Sequence, residues 1–153
     1  MIDFKDRVVL VTGAGGGIGR AHALEFGRRG AQVVVNDLGS NVRGEGSSDL
    51  AAKVAAEINR AGGQAVSNNF SVSDPEQAKA MVKQAIDEFG RIDVVINNAG
   101  ILRNRTFKNT TTEDFKLVVE VHLLGSAYVT HAAWPFMYEQ NYGRVILTSS
   151  VSG

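Results

Sequence analysis

A few short stretches of this chain carry residue types and spacings that can do chemistry. One is a glycine-rich turn, Thr12-Gly13-Ala14-Gly15-Gly16-Gly17-Ile18-Gly19; another is the lone acid Asp37; a third is Asn97-Asn98-Ala99-Gly100. His122 adds a titratable ring and Ser150 a hydroxyl. The turn follows the apolar run Val8 to Val11 and leads directly into a helical pattern. A strand, a tight turn and a helix N-terminus in that order let backbone amides approach a phosphate, with the positive end of the helix dipole behind them. Asp37 lies roughly 20 residues past the turn, where a carboxylate can accept both hydroxyls of a ribose and would repel a 2′-phosphate.

These residues need elements to position them. Arg7 to Val11 reads as a buried strand, because its apolar run leaves no polar face. Ile18 to Arg29 reads as a helix ended by Gly30. Gln32 to Asn36 is a second apolar strand that delivers Asp37 to its carboxyl end, followed by a long loop from Leu38 to Ser48. Asp49 to Arg60 is helical, with Leu50, Val54 and Ile58 inward, and Ala65 to Phe70 is a third strand. Ser73-Asp74-Pro75-Glu76 starts a helix that runs to Phe89 and stops at Gly90. There Ser73 or Asp74 can cap, Pro75 presets φ, and Glu76 can complete a capping box with Ser73. Ile92 to Ile96 is a fourth strand. Thr111-Thr112-Glu113-Asp114 opens a long helix reaching Trp134, which Pro135 should kink or close. Arg144 to Thr148 is a fifth strand, ending in Ser149-Ser150-Val151-Ser152-Gly153.

Strands alternating with helices, and apolar on both faces, predict an α/β fold: a doubly wound (Rossmann) parallel sheet of order 3-2-1-4-5. Ligands of such sheets bind beyond the carboxyl ends of the strands, and the glycine turn, Asp37, the Asn-Asn-Ala-Gly segment and Ser150 all fall on that edge. Gly16 carries no charge and no arginine directly follows Asp37, so the expected cofactor is NAD rather than NADP.

The 153 residues suit a single dinucleotide-binding domain, 1–153, and 44% apolar composition suffices for a packed core. Lys+Arg and Asp+Glu both number 16, so no nucleic-acid surface or polybasic membrane patch is expected. No apolar run approaches the roughly 20 residues that span a bilayer. The start lacks a signal-peptide pattern, and cysteine is absent, which excludes disulfides and thiolate metal sites. A soluble, cytoplasmic protein is the expectation. His22 and His131 give no metal constellation, and no metal is assigned.

The glycine spacing departs from the three-glycine dinucleotide fingerprint, since Ile18 and Arg20 stand where that pattern wants glycine. Thr12, Gly13, Gly17 and Gly19 fit Thr-Gly-x-x-x-Gly-x-Gly, which resembles the short-chain dehydrogenase/reductase family. Gly16 makes the spacing equally compatible with the extended epimerase branch, and Asn97-Asn98-Ala99-Gly100 resolves it toward the short dehydrogenase type. Further segments strengthen the likeness: Val34-Val35-Asn36-Asp37-Leu38-Gly39, Arg91-Ile92-Asp93-Val94, Gly100-Ile101-Leu102-Arg103, Val121-His122-Leu123 and Tyr142-Gly143-Arg144. Together they resemble the (3R)-hydroxyacyl-CoA dehydrogenase unit of the peroxisomal multifunctional enzyme type 2 family and its bacterial single-domain relatives.

That resemblance implies NAD-dependent oxidation of a (3R)-3-hydroxyacyl thioester, an acyl-CoA as small-molecule partner, a homodimer or homotetramer when complete, and a peroxisomal location in a eukaryotic multifunctional enzyme. It implies cofactor contacts from Thr12, Gly13, Gly17, Ile18, Gly19, Asp37, Ser71, Val72, Asn98, Ala99 and Gly100. Phe70 replaces the family's usual adenine-binding aspartate. Ser150 matches the catalytic serine that holds the substrate oxygen, whereas Ser149 and Ser152 read as structural. His122 stands where many relatives have a proton-relay asparagine, and it reads either as that residue's replacement or as a hydrogen-bonded core histidine pointing into the fold. Arg103 and Arg105 read as solvent-exposed loop arginines rather than acyl-CoA phosphate ligands, and Trp134 and Phe136 as packing residues at the helix end or a dimer contact.

The family's acid/base tyrosine and lysine would follow Gly153, and Tyr128, Tyr138 and Tyr142 cannot replace them. These 153 residues are therefore expected to be an incomplete, inactive stretch with an exposed apolar edge. A hydroxysteroid or other secondary-alcohol dehydrogenase, and a non-catalytic dinucleotide-binding module, remain alternatives.

Overall fold

The computed structural model describes residues 2–41, 43–45 and 48–150. Its strands are β1 (Val8–Val11), β2 (Gln32–Asn36), β3 (Gln64–Asn68), β4 (Val94–Asn97) and β5 (Arg144–Leu147), all parallel, in the order β3-β2-β1-β4-β5. The expected doubly wound sheet is present in the expected order. Side-chain alternation along each strand feeds two cores. Val9, Val11, Val33, Val35, Val94 and Ile96 face α1 (Gly17–Arg28) and α2 (Leu50–Arg60), packing with Ala23, Val54 and Ile58. Val8, Leu10, Val34 and Val95 face α3 (Pro75–Phe89) and α5 (Gly125–Glu139), packing with Met81, Val82, Val129 and Ala133.

Element boundaries differ from the sequence reading where side chains intercept the backbone. β3 stops at Asn68 rather than Phe70, because the Asn68 side-chain carbonyl accepts from Asn36 Nδ2 at 2.7 Å and from the Phe70 amide at 3.3 Å, turning the chain. β4 begins at Val94 because the Gln140 amide binds both the N–H and the C=O of Ile92. The Ser73–Glu76 capping box does not form. Asp74 caps α3, accepting from the amides of Glu76 (2.9 Å) and Gln77 (3.1 Å), while Gln77 Nε2 returns to its second oxygen. These bonds hold the Asp74 carboxyl below the usual carboxylate range.

The long helix also differs. α4 (Thr112–Val119) is capped by Thr111 Oγ1 at the Asp114 amide, and it continues through a π-helical segment, Glu120–Leu124, into α5. Pro135 does not close it; the helix runs on to Glu139. Phe136 packs against the second core, and Trp134 is 59% exposed. All four β5 residues are exposed, so the expected apolar edge is present. The reading of Ser152 lies outside the described residues.

At the amino edge of the sheet the fully buried carboxylate of Asp93 accepts from Arg7 Nη1 (2.9 Å), the Val8 amide (2.9 Å) and Arg91 Nε and Nη2 (2.7 and 2.6 Å). Arg7 also lies over the Tyr142 ring, 3.9 Å from its centroid. Burial by itself would raise the Asp93 carboxyl, but its hydrogen bonds from Arg91, the Val8 amide and Arg7 outweigh burial and hold it below the usual range. A lowered folded value means stability that is present above the unfolded carboxylate pKa and lost as pH falls toward the folded one. Asp93→Asn in the complete protein should cost about 3 kcal/mol in urea unfolding at neutral pH. The gap to the wild type should narrow below about pH 4, as the unfolded chain's Asp93 carboxyl takes up a proton that the folded one still resists.

Candidate functional site: a crevice at the carboxyl edge

The site is organised by Thr12, a buried residue at the carboxyl end of β1. Its hydroxyl donates to the Ile96 carbonyl (3.3 Å) and accepts from the amides of Asn98 and Ala99, both at 3.0 Å. Asn98 returns the contact: Nδ2 donates to the carbonyls of Thr12 and Gly13, both at 3.1 Å, and Oδ1 accepts from Thr148 Oγ1 at 3.4 Å. Asn97 Nδ2 donates to Thr130 Oγ1 (3.0 Å) on α5. The glycine turn and the Asn-Asn-Ala-Gly segment are therefore one hydrogen-bonded unit. Gly19 lies against it so closely that a Cβ there would overlap Gly13 O and Asn98 Nδ2.

The turn leads into α1 with Gly16 as an N-cap that has no side-chain hydrogen bond, so the first-turn amides stay open to an anion. A Cβ at Gly16 or Gly17 would meet no other atom, and Ile18 is 62% exposed beside them. Asp37 closes this end of the site. Its Oδ2 accepts from the Gly15 amide at 2.8 Å and its Oδ1 from the Gly39 amide at 2.8 Å. Both oxygens keep a lone pair for further donors. The sequence places Asp37 at the strand end; its bond to Gly15, which joins the acid to the turn, has no sequence signal.

At the other end, His122 sits in the π-helical segment. Contrary to the inward placement expected, it is an exposed residue. Its Nε2 accepts from the Ile101 amide at 3.0 Å and lies 2.9 Å from the Ile101 carbonyl. A neutral ring can accept from the first or donate to the second, depending on where its proton sits. The ring packs on Gly100, where a Cβ would come within 2.7 Å of Cε1. Ser126 Oγ donates to the His122 carbonyl at 2.7 Å. Ser150 is exposed, two residues beyond Thr148, whose amide bonds the Asn97 carbonyl at 3.0 Å.

Val72 is buried against Gly125, and Phe70 packs partly into the core. The Ser71 amide donates to Gln77 Oε1, and its hydroxyl pairs with Ser73. Tyr142 stacks between Arg7 and Arg144 at the opposite edge of the sheet, Tyr138 is 80% exposed, and Tyr128 packs against the core. Arg103 is not a solvent-exposed arginine. Only 19% of its side chain is accessible, and it pairs with Glu45 and Asp114. Arg105, about half exposed, pairs with Asp114 as well. No group of His, Asp and Glu among the described residues could hold a metal ion.

A doubly wound sheet whose first turn is glycine-lined, and whose second strand ends in an acid joined to that turn, defines a dinucleotide-binding protein. The family model described as short chain dehydrogenase matches residues 7–153, and the chain belongs to that family. It is 58% identical over 151 residues to mouse peroxisomal multifunctional enzyme type 2, covering 98% of this chain and 20% of that protein. It is 54% identical over 153 residues to peroxisomal multifunctional enzyme A of Dictyostelium discoideum, covering 99% and 34%. A crystal structure of a short chain dehydrogenase from Mycobacterium avium superposes with a TM-score of 0.86 at 44% identity, over 96% of this chain and 53% of that one. The chain thus spans about half or less of each of these relatives.

Thr12→Val should leave the Asn98 and Ala99 amides without their acceptor. The expected cost is about 2–4 kcal/mol in urea unfolding of the complete protein. Thr12→Ser, which keeps the hydroxyl, should lie much closer to the wild type.

Proposed function

We propose that this chain is the cofactor-binding part of an NAD-dependent dehydrogenase that oxidises a (3R)-3-hydroxyacyl-CoA to the 3-ketoacyl thioester. The observation that carries the reading is the Asp37 carboxylate, fixed beside the glycine turn by the Gly15 and Gly39 amides. There it presents acceptor oxygens to the two hydroxyls of an adenosine ribose, and its charge opposes a 2′-phosphate. The open first-turn amides of α1 suit a diphosphate, and Gly13 and Gly19 allow the backbone to come close. A bound nicotinamide would supply the hydride acceptor.

The chemistry of this chain's own residues lies at the other end of the crevice. Ser150 is assigned to hold the substrate oxygen. His122, tied through Nε2 to the Ile101 backbone, is assigned to a proton path on that side. The thioester assignment is supported by the motif resemblance from Val8 through Arg144 and by the identity to the mouse and Dictyostelium enzymes.

The test uses the complete protein. NADH should form from NAD with (3R)-3-hydroxybutyryl-CoA and not with the (3S) isomer, and Ser150→Ala should lower kcat by at least a hundredfold. Activity on hydroxysteroids with none on either thioester would contradict the substrate assignment.

A further inference from the structure

The long loop after Asp37 is organised at two levels among the described residues. Its base is closed by Ser48 Oγ donating to the Gly39 carbonyl (2.9 Å), next to the bond between the Gly39 amide and Asp37. Its tip is closed by Asn41, whose amide donates to the Glu45 carbonyl (2.8 Å) and whose carbonyl accepts from the Gly44 amide (2.8 Å). The Asn41 side chain accepts from the amides of Arg43 and Glu45. Gly44 and Glu45 of this tip meet the segment that leaves Gly100. A Cβ at Gly44 would contact Ile101 Cγ2 at 3.4 Å, and Glu45 Oε1 lies 3.6 Å from Arg103 Nη1. The same Nη1 lies 3.6 Å from Asp114 Oδ1, in the first turn of α4.

We propose that Arg103 is a positioning residue: it ties the Glu45 tip to α4 and so keeps the loop that descends from Asp37 in its cofactor-binding arrangement. The proposal rests on the reading of Asp37 as an NAD ribose ligand. Three features support it. Arg103 and Asp114 keep only 19% and 15% of their side chains accessible, so salt screens that pair less than the Arg103–Glu45 pair, whose acid is 57% accessible. Asp114 has a second cation in Arg105 at 3.6 Å, so loss of Arg103 leaves α4 a partner. Arg103 Nε is buried with no hydrogen-bond partner among the described residues, so the side chain is held by charge pairing at Nη1 and not by a saturated hydrogen-bond fork. Ile101, two residues away, is held by His122, so one short segment carries both the His122 contact and the Glu45 tie.

The test measures NADH binding by fluorescence, together with steady-state kinetics, in the complete protein. Glu45 is more than half exposed, so Glu45→Gln leaves folding intact. Glu45→Gln and Arg103→Met should each raise the NADH Kd by about fivefold, and the double variant by no more than either alone. Arg103→Lys should stay within about twofold of the wild type, because single-point charge pairs at this distance do not require the guanidinium fork. Added salt should weaken NADH binding more in the wild type than in Glu45→Gln. At saturating NAD, kcat and the thioester KM should not change. A wild type that binds NADH with an affinity matched by Glu45→Gln overturns this proposal alone. A wild type that binds no NADH overturns the functional reading and the proposal together. Losses of kcat and thioester affinity in Glu45→Gln that parallel the loss of NADH affinity would overturn the positioning role.

Discussion

The structure depends on the pairing of β1 and β4, which is pinned at both ends by polar clusters of opposite design. At the carboxyl ends, the Thr12 hydroxyl and the Asn98 side chain hold two loops together through neutral hydrogen bonds. At the amino ends, the Asp93 carboxylate gathers two arginines and the Val8 amide. Buried polar groups are costly unless they are paired, so each cluster specifies one register as well as adding stability. The Ile92 C=O and N–H bound by Gln140, and the Arg144 amide bonded to the Asp93 carbonyl, extend the lower cluster to β5. The close meeting of the two loops at the carboxyl edge is a consequence of that register.

The site's electrostatics follow from where backbone groups are left to work. Gly16 caps α1 without a side chain, so positive amide ends face the site, while the Asp37 carboxylate at that end is already steered by Gly15 and Gly39. At the far end, a π-helical segment carries His122 onto the Ile101 backbone. The wider turn costs local hydrogen-bond geometry, and such turns are frequent at functional sites. Arg103, between these ends, joins the loop after β2 to α4 by charge.

Much of this is legible in the residues. The two-sided apolar strands give the parallel sheet and its order, and the glycine spacing with Asn97 to Gly100 gives the loops that meet across β1 and β4. What escapes a sequence reading depends on contacts between distant segments. Nothing in Glu120 to Leu124 separates a π turn from an α turn, and Pro135 reads as a stop although the helix continues past it. Asp74 outcompetes Ser73 as the cap because Gln77, at the third helical position, answers it with its own side chain. Arg103 reads as a surface residue because Glu45 and Asp114, its ion-pair partners, lie 58 residues before and 11 after it.

The proposed NAD reading rests on the Asp37 carboxylate, fixed by the Gly15 amide, opposing a 2′-phosphate. The most direct measurement is a paired titration of the complete protein with NADH and NADPH, in the wild type and in Asp37→Ala. The wild type should bind NADH at least tenfold more tightly than NADPH, and Asp37→Ala should lose most of that preference. Equal affinity of the wild type for the two cofactors would contradict the account.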